Sequence, residues 1–338
     1  MSNTMAGLRV WLLGLLTLVV VLGLSVSGPA EAERPQRMIL LLEWFPNPDH
    51  LPIYVAQEKG FFQEEGLQVE IQVPADPSAV AKLGAVGQAD LVIVTELNLL
   101  IVRSEGLPLV AVAALVQHPL SMLLALKESG IETLADLKGR KIGYSMEPLE
   151  PVLYRAMLAT VGLEPGDYEL VNVGFNLVPA LLTGVVDAIG AFIYEKVKLE
   201  LEGYEVVAFP FQEHGIPDYY ELLFASSERT IAEKAELING FVRAMEKAHL
   251  FTLAHPDEAM ELFFQALPDQ RATPELEELN RAAFAEIWEL FAGSPCHNDP
   301  TRWEGIIDFM FQNGLIAKRF PLEELMTEEL LPRGCLRF

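Results

Sequence analysis

Residues 41–62 read LLEWFPNPDHLPIYVAQEKGFF, and the order of structures predicted along this stretch decides the fold class. The apolar run Met38–Leu42 predicts a buried strand, which breaks at once into a loop and then enters a short helix that closes at Gly60. The loop carries three prolines, Pro46, Pro48 and Pro52. Prolines lower the entropy that a loop loses on ordering. A rigid loop with an aromatic ring and several hydrogen-bonding groups suits the capture of a flat, polar small molecule.

The first residues have the layout of a secretory signal. Arg9 precedes an apolar run from Val10 to about Val26, and Ala30-Glu31-Ala32 offers a small-x-small cleavage pattern. The run is slightly long for a signal and short for a comfortable membrane span. We therefore expect residues 1–32 to be a cleaved signal peptide, with an uncleaved membrane anchor as the alternative.

The charge balance narrows the classes of partner. The 338 residues include 24 basic and 48 acidic side chains, a net charge of −24. The predicted signal contains one basic and one acidic residue, so its removal leaves this charge unchanged. Such a chain is repelled by nucleic acid and by anionic membrane surfaces. The balance favours a soluble exported protein, which we expect to be a monomer, and excludes nucleic acid as a partner.

The sequence contains two cysteines, Cys296 and Cys335. They lack C-x-x-C spacing, and sequence alone does not place them together. A disulfide is open to them in an oxidising compartment, but two unpaired thiols are the favoured reading.

Strand-like and helix-like segments alternate along the chain, which predicts α/β architecture with mostly parallel sheets. Apolar runs predict a first set of strands at 38–42, 68–73, 91–94, 109–115 and 122–126. A second set is predicted at 141–144, 168–173, 188–192 and 205–209, and 221–225 leads back to the first. We expect two βα lobes with a hinge and a central cleft: lobe 1 at 37–118 plus 219–316, lobe 2 at 119–218, and a loosely docked tail at 317–338.

Motifs for catalysis are missing. The sequence contains no G-x-S-x-G elbow, no P-loop and no H-E-x-x-H, and its six histidines lack metal-binding spacing. We therefore predict no catalytic residues, no metal and no resident cofactor.

Polar and aromatic residues at predicted strand ends are the candidates for ligand binding, because ligands of open α/β sheets lie outside the carboxyl ends of the strands. Trp44 is suited to stacking on a planar ring, with burial under the loop as its alternative. The other candidates in lobe 1 are Glu43, Asn47, His50, Thr95 and Glu96. Four of them have a competing local role: Asn47 is also a turn residue, His50 and Thr95 also suit helix capping, and Glu96 also suits compensation of the helix dipole.

Lobe 2 offers a second group of candidates on the opposite rim of the expected cleft. Glu195 is the favoured carboxylate because an apolar strand precedes it, although a solvated helix charge is the alternative. Residues 214–221 form the second crossover, which by geometry lines the cleft floor or serves only the hinge. The remaining candidates are Tyr144, Ser145, Asn176, Tyr194, Tyr219 and Glu221.

The chain resembles the periplasmic solute-binding proteins of ABC transporters that collect thiamine pyrimidine precursors, and these are similar to the fungal thiamine pyrimidine synthase. The resemblance runs from about Met38 to Leu315. Its most specific element is WFPNPDH at 44–50, and its other elements are YVAQEKGFF at 54–62, GQAD at 87–90, LADLKGRKIGY at 134–144 and GAF at 190–192.

The resemblance implies a type II periplasmic-binding fold and an aminopyrimidine ligand, such as formylaminopyrimidine or hydroxymethylpyrimidine. It implies that Glu43 and Trp44 contact the ring and that Glu195 grips it from the other lobe. The implied partners are the permease and ATPase subunits of an ABC transporter, and the implied location is periplasmic or extracytoplasmic.

Departures from the synthase argue against an enzyme. The synthase's cofactor-anchoring lysine and its consumed histidine correspond here to Val94 and Asn98. Residues 218–225 lack the synthase's cysteine cluster, and SMEPLE at 145–150 replaces its glycine-rich phosphate loop. Carboxylates in that loop repel phosphate, which favours an unphosphorylated ligand. The alternatives kept are a binding protein for riboflavin, a sulfonate or nitrate, and a membrane-tethered sensor.

Overall fold

The structure is a computed structural model that describes residues 35–291, 299–327 and 329. The predicted signal peptide, its cleavage pattern and both cysteines lie outside the described residues. Within the described part, no helix is both long enough and apolar enough to cross a membrane.

Within the described residues, ten strands form two five-stranded sheets. Their bounds are β1 Gln36–Leu41, β2 Leu67–Gln72, β3 Leu91–Val94, β4 Leu109–Val116, β5 Ser121–Leu126, β6 Lys141–Tyr144, β7 Glu169–Asn172, β8 Ala188–Phe192, β9 Val206–Pro210 and β10 Leu222–Ser227. Sheet 1 has the order β2-β1-β3-β10-β4, and sheet 2 has the order β7-β6-β8-β5-β9. The predicted strands match these within one or two residues at each end.

Twelve helices surround the described sheets. Their bounds are α1 Leu51–Glu58, α2 Phe61–Glu64, α3 Val80–Ala85, α4 Glu96–Ser104, α5 Leu149–Ala159, α6 Leu177–Leu182, α7 Ile193–Leu201, α8 Glu228–Glu233, α9 Ala235–Ala254, α10 Pro256–Ala266, α11 Pro274–Ile287 and α12 Pro300–Gln312. Gly60 separates α1 from α2 with a left-handed φ of 76°, as its predicted role at a helix end requires.

Both sheets are mixed, so the prediction of mostly parallel sheets needs correction. In sheet 1, β10 runs antiparallel to β3 and β4, and in sheet 2, β5 runs antiparallel to β8 and β9. Each reversed strand is the first one after the chain crosses from the other sheet. The remaining pairs, β1 with β2 and β3, and β6 with β7 and β8, are parallel.

The chain passes from one sheet to the other twice. The strands of sheet 1 lie in 36–116 and 222–227, and those of sheet 2 lie in 121–210. We keep the lobes at 37–118 plus 219–316 and at 119–218 as a proposal, with the hinge at the crossovers.

Strand β1 explains how sheet 1 is covered on both faces. Successive side chains of a strand point to opposite faces. Met38 and Leu40 accordingly belong to a buried cluster with Phe241 of α9, whereas Leu41 belongs to a second cluster with Val80 of α3. Burial of apolar side chains on both faces fixes the end of β1, and therefore fixes the origin of the loop that follows it.

The C-terminal segment is packed as far as Thr327, in contrast to the loosely docked tail predicted for 317–338. Leu325 is fully buried and Phe320 is 7% exposed. The backbone N–H of Ala111 donates to Leu325 O at 2.8 Å, and the N–H of Thr327 donates to Ala111 O at 3.0 Å. This segment therefore covers the otherwise open edge of β4.

Candidate ligand-binding site

A cavity opens between the two sheets, at the ends of β1, β3 and β8. We call it the main cavity, and its empty volume is about 580 Å³. It is lined by Glu43, Trp44, Asn47, Asp49, Pro77, Thr95, Asn98, Leu120, Met146, Phe192, Tyr194, Glu195, Glu221 and Leu222.

The loop after β1 is held by its own hydrogen bonds as well as by its prolines. The Asn47 side-chain oxygen accepts the N–H of Asp49 at 2.7 Å, which caps a short 3-10 turn at Pro48–His50. The Asn47 amide group also donates to Phe45 O at 3.3 Å. Asn47 therefore lines the cavity and also has the turn role that was its alternative.

His50 lies behind the loop and holds Glu43. His50 is fully buried, and its Nε2 lies 2.9 Å and 3.1 Å from the two carboxylate oxygens of Glu43. The Asn47 N–H points at Nδ1 at 3.3 Å, which assigns the proton of the neutral ring to Nε2. Burial opposes a charge on His50, but the charge and hydrogen bond of Glu43 and the charge of Asp49 outweigh it and raise the His50 pKa. His50 thus does not line the cavity but orients a residue that does.

Asp49 is a cavity residue that the sequence reasoning missed. It is 8% exposed and lines the main cavity. Burial raises its pKa to about 7; His50 works in the opposite direction, and the carboxylates of Glu43, Glu195 and Glu221 reinforce the rise. Asp49 lies in the chain between Asn47 and His50, both predicted site residues, and this position could have identified it.

Glu195 and Tyr194 enter the cavity from sheet 2, at the start of α7. Glu195 accepts the N–H of Phe192 at 3.0 Å, so its side chain is held over the end of β8. Burial raises its pKa, with the hydrogen bonds of backbone N–H groups and the charge of Lys198 opposing the rise. Burial and the nearby charges of Glu195 and Asp49 raise the pKa of Tyr194 to about 12, so its hydroxyl stays protonated.

Glu221 closes the floor of the cavity at the second crossover. It accepts the N–H of Leu120 at 2.8 Å, the hydroxyl of Tyr219 at 3.1 Å and the hydroxyl of Ser121 at 3.3 Å. Burial raises its pKa to about 7 although these bonds oppose the rise. Tyr219 lines an adjoining pocket, the inner pocket, which shares Glu221 and Thr95 with the main cavity.

Thr95 and Glu96 are adjacent in the chain, but only Thr95 lines the main cavity. Thr95 lines the cavity and caps α4 by accepting the N–H of Asn98 at 3.0 Å. Glu96 is fully buried outside the lining, where it accepts the N–H of Tyr220 at 2.8 Å. Because a helix turns about 100° per residue, these neighbours point to different sides. Glu96 therefore ties α4 to the second crossover.

Three further predicted residues lie outside the lining of both cavities. Tyr144 donates its hydroxyl to Glu147, and Ser145 donates its N–H to Glu150 at 2.6 Å. Asn176 is exposed at the start of α6. Met146 reaches the cavity instead, because the loop turns its side chain inward as Ser145 bonds Glu150.

An aromatic group spans the cleft. Trp44 follows β1 of sheet 1, and its ring centroid lies 6.5 Å from that of Phe192 and 4.9 Å from that of Phe175, both on the sheet 2 side. Phe45 also lies 5.7 Å from Phe175. Trp44 therefore lies at the cavity wall with two ring neighbours across the cleft. Phe175 and Phe192 were missed, although Phe175 follows a predicted strand and Phe192 is the last residue of another.

The electrostatic character of the main cavity is acidic. Four carboxyl groups line it, those of Glu43, Asp49, Glu195 and Glu221. Among the described residues, neither Lys nor Arg contributes to the lining. Such a wall accepts hydrogen bonds from N–H groups and favours positive charge, whereas it repels anions.

The positions corresponding to the synthase's lysine and histidine can be located directly. Val94 is 2% exposed within the core, and Asn98 lines the main cavity. In the described part of the chain, no group of three or more His, Cys, Asp or Glu side chains is arranged to hold a metal ion.

The chain has the fold of known periplasmic solute-binding proteins. The periplasmic aliphatic sulphonate binding protein of Escherichia coli superposes with a TM-score of 0.68 at 15% identity, over 90% of this chain and 96% of that one. Residues 47–259 match the family described as NMT1/THI5 like, and the chain belongs to this family.

Curated relatives share most of the chain. A protein of Haemophilus influenzae, whose name provisionally assigns it to thiamine biosynthesis, is 40% identical over 91% of this chain and 96% of its own length. A formylaminopyrimidine-binding protein of Halalkalibacterium halodurans is 31% identical, over 88% and 91%. A 4-amino-5-hydroxymethyl-2-methylpyrimidine phosphate synthase of Legionella pneumophila is 30% identical, over 90% and 95%. The relatives thus include both a binding protein and an enzyme.

Proposed function

We propose that this chain is the extracytoplasmic substrate-binding component of an ABC transporter, which captures formylaminopyrimidine or hydroxymethylpyrimidine for thiamine salvage. The main cavity carries this proposal, because four carboxyl groups and Trp44 line it and no basic residue of the described chain does. An aminopyrimidine is flat and presents N–H donors at its edge, so it fits both features.

The acidic lining also separates this ligand from other ligands of the same fold. A sulfonate or nitrate requires cationic or N–H donor groups, and the cavity presents carboxylates where such an anion would sit. The name of the Halalkalibacterium halodurans relative supports the pyrimidine reading independently. Riboflavin is uncharged on its ring and stays the alternative.

A phosphate synthase is the second candidate, because relatives carry that name. Two observations favour binding over synthesis. Val94 offers no amine to pyridoxal phosphate, and Glu150 occupies the backbone N–H groups of Ser145 and Met146 at 2.6 Å and 2.9 Å. Those N–H groups are the kind that cradle a phosphate, and a carboxylate there excludes one. On mixing the protein with pyridoxal phosphate, we expect no shift of the cofactor's absorbance to that of a lysine Schiff base, and such a shift would support the enzyme.

We propose that binding proceeds by closure of the lobes. Glu43 and Trp44 contact the ring on one side, Glu195 contacts it on the other, and contacts to both lobes stabilise the closed form. The closed protein is then presented to the permease and ATPase subunits. N-terminal sequencing of the exported protein is expected to find a start near Glu33, and a start at the first residues would favour the tethered sensor.

A thermal-shift panel tests the ligand. The panel contains hydroxymethylpyrimidine, formylaminopyrimidine, thiamine, riboflavin and taurine. We expect the Tm to rise with one of the two pyrimidine precursors, since a ligand that binds only the folded state stabilises it. The shift should be lost in Glu195→Gln and kept in Glu202→Gln, which changes an exposed residue at the end of the same helix. A rise with riboflavin or taurine and none with either pyrimidine would overturn the proposal.

A further inference from the structure

Asp49 differs from the other three carboxyl groups of the main cavity in having no hydrogen-bond partner within the described residues. Glu43 is engaged by His50, Glu195 accepts the N–H of Phe192, and Glu221 accepts three donors. The Asp49 side chain is more than nine-tenths buried, and its carboxyl group faces the cavity. The Asp49 oxygens open into the cavity rather than being enclosed without a partner, so a bound ligand can reach them and supply hydrogen-bond donors.

A carboxyl group with both oxygens available matches the edge of an aminopyrimidine. The exocyclic amino group donates to one oxygen, and the neighbouring ring nitrogen shares a single proton with the other. This pairing is bidentate and therefore directional. The same edge does not exist on a sulfonate, and a methyl group in place of the amino group removes half of it.

Resting on the proposed function, we infer that Asp49 is the specificity-determining residue of the cavity, which receives the amino group and adjacent ring nitrogen of the bound pyrimidine. Glu43 and His50 lie beside Asp49 on its own loop, Glu195 faces it from α7, and Glu221 faces it from the second crossover. Three of these four neighbours are carboxyl groups, which favours a proton held between Asp49 and the ligand.

The shared proton makes the inference measurable. Burial and the surrounding carboxylates raise the pKa of Asp49 to about 7. Below that pH the free protein already holds the proton, whereas above it the proton must be taken up on binding. Affinity should therefore fall about tenfold per pH unit above pH 7. The Asn47 cap bonds the backbone of Asp49 and not its carboxyl group, so Asp49→Asn leaves the loop intact.

Isothermal titration calorimetry from pH 6 to pH 9 tests this inference. It compares the affinity for hydroxymethylpyrimidine of wild type, Asp49→Asn and the control Asp257→Asn. Asp257 is exposed on α10, outside the main cavity, so its substitution should change nothing. The Asn amide offers the same acceptor and donor as a protonated carboxyl group, so Asp49→Asn should bind like wild type at pH 6.5 and lose the fall above pH 7. A further variant, Asp49→Leu, offers no hydrogen bond and should bind at least tenfold more weakly at pH 6.5. An analogue with methyl in place of the amino group keeps only the ring-nitrogen half of the pairing, so Asp49→Leu should weaken its binding less than it weakens the binding of hydroxymethylpyrimidine.

The outcomes separate this inference from the proposed function. Tight binding of hydroxymethylpyrimidine that is equal in wild type and Asp49→Leu would overturn the role of Asp49 and leave the function standing. If substitution of Asp49 weakens the binding of hydroxymethylpyrimidine and of the methyl analogue equally, and also lowers the Tm of the free protein, Asp49 has a structural role instead. Failure of wild type to bind either pyrimidine precursor would overturn both proposals.

Discussion

The indole of Trp44 and the phenyl ring of Phe175 lie with their centroids 4.9 Å apart, although they follow strands of different sheets. Phe175 is 50% exposed, so its ring is held mainly by Trp44 and Phe45. This contact lies across the mouth of the cleft. It therefore links the wall of the main cavity to the spacing between the two sheets.

Removal of the Phe175 ring should speed ligand release. Aromatic pairs contribute about 0.5–1.5 kcal/mol beyond area burial, so Phe175→Ala should weaken pyrimidine binding about 3- to 10-fold. On the proposed closure of the lobes the contact helps to hold the closed form, so the change should appear in the dissociation rate measured by stopped-flow fluorescence. Tyr204→Ala removes another exposed ring, beside Leu126 at the opposite end of β5, and should have no effect. An unchanged dissociation rate for Phe175→Ala would show that the contact does not hold the closed form.

Neutralising Glu96 should stabilise the protein at alkaline pH. Burial raises the Glu96 pKa to about 8, against the opposing hydrogen bond from the Tyr220 N–H and the charge of Arg302. A carboxyl group with a raised pKa stabilises the fold at low pH, and this contribution is lost as pH rises toward 8. Glu96→Gln avoids that loss, so its free energy of unfolding relative to wild type should increase by about 3 kcal/mol between pH 4 and pH 9.

Urea denaturation at pH 4, 7 and 9 measures this difference. The exposed Glu128 serves as the matched control, and Glu128→Gln should track wild type at every pH. A difference between Glu96→Gln and wild type that does not change with pH would contradict the burial argument.

Substitution of His50 should lower the free energy of unfolding most at low pH. The Glu43 and Asp49 charges raise the His50 pKa despite burial, so the charged ring contributes stability below pH 6.5 that is lost as pH rises through the higher native value. Protonation of the ring gives up the long bond from the Asn47 N–H. His50→Gln should lower the free energy of unfolding by about 2–4 kcal/mol at pH 6 and by less at pH 9.

The same denaturation series, with the exposed His255→Gln as control, checks this prediction. Pyrimidine affinity should fall as well in His50→Gln, because Glu43 is no longer oriented toward the cavity. A larger stability loss at pH 9 than at pH 6 would reverse the expected sign and reject the charged pair.

Arg302 of α12 should stabilise the two crossovers between the sheets. Its guanidinium donates to Gln117 O at 2.5 Å, pairs with Asp218 at 3.1 Å and lies 4.5 Å from the ring centroid of Tyr220. These contacts join one helix to both connections between the sheets. Arg302→Met should therefore reduce the free energy of unfolding by about 2–3 kcal/mol in urea denaturation.

Arg319 provides a close control, because it pairs with Asp308 and lies 4.4 Å from the Phe311 ring centroid, but is half exposed. Exposed pairs contribute little, so Arg319→Met should cost less than about 1 kcal/mol. Equal losses for the two variants would show that burial at the crossovers adds nothing.

Strand positions and the rim at which the candidates lie could be predicted because both follow from local patterns. The apolar runs of β1, β3 and β8 are buried wherever the sheets pack, and the residues after them reach the strand ends by chain continuity. Glu43, Trp44, Tyr194 and Glu195 accordingly line the main cavity. Side-chain direction within loops follows no such period, which is why Asp49 was missed and Ser145 was chosen in place of Met146.

The sequence by itself determined the α/β class, the strand positions, the acidic charge and the rim of the site, since hydrophobic period and chain order act over a few residues. Only the tertiary structure decided the reversed direction of β5 and β10, the burial of Glu96 against Tyr220 and the meeting of Trp44 with Phe175. The two residues of each of these last pairs are more than a hundred positions apart in the chain. Such contacts depend on how two sheets pack, and no local pattern encodes that packing.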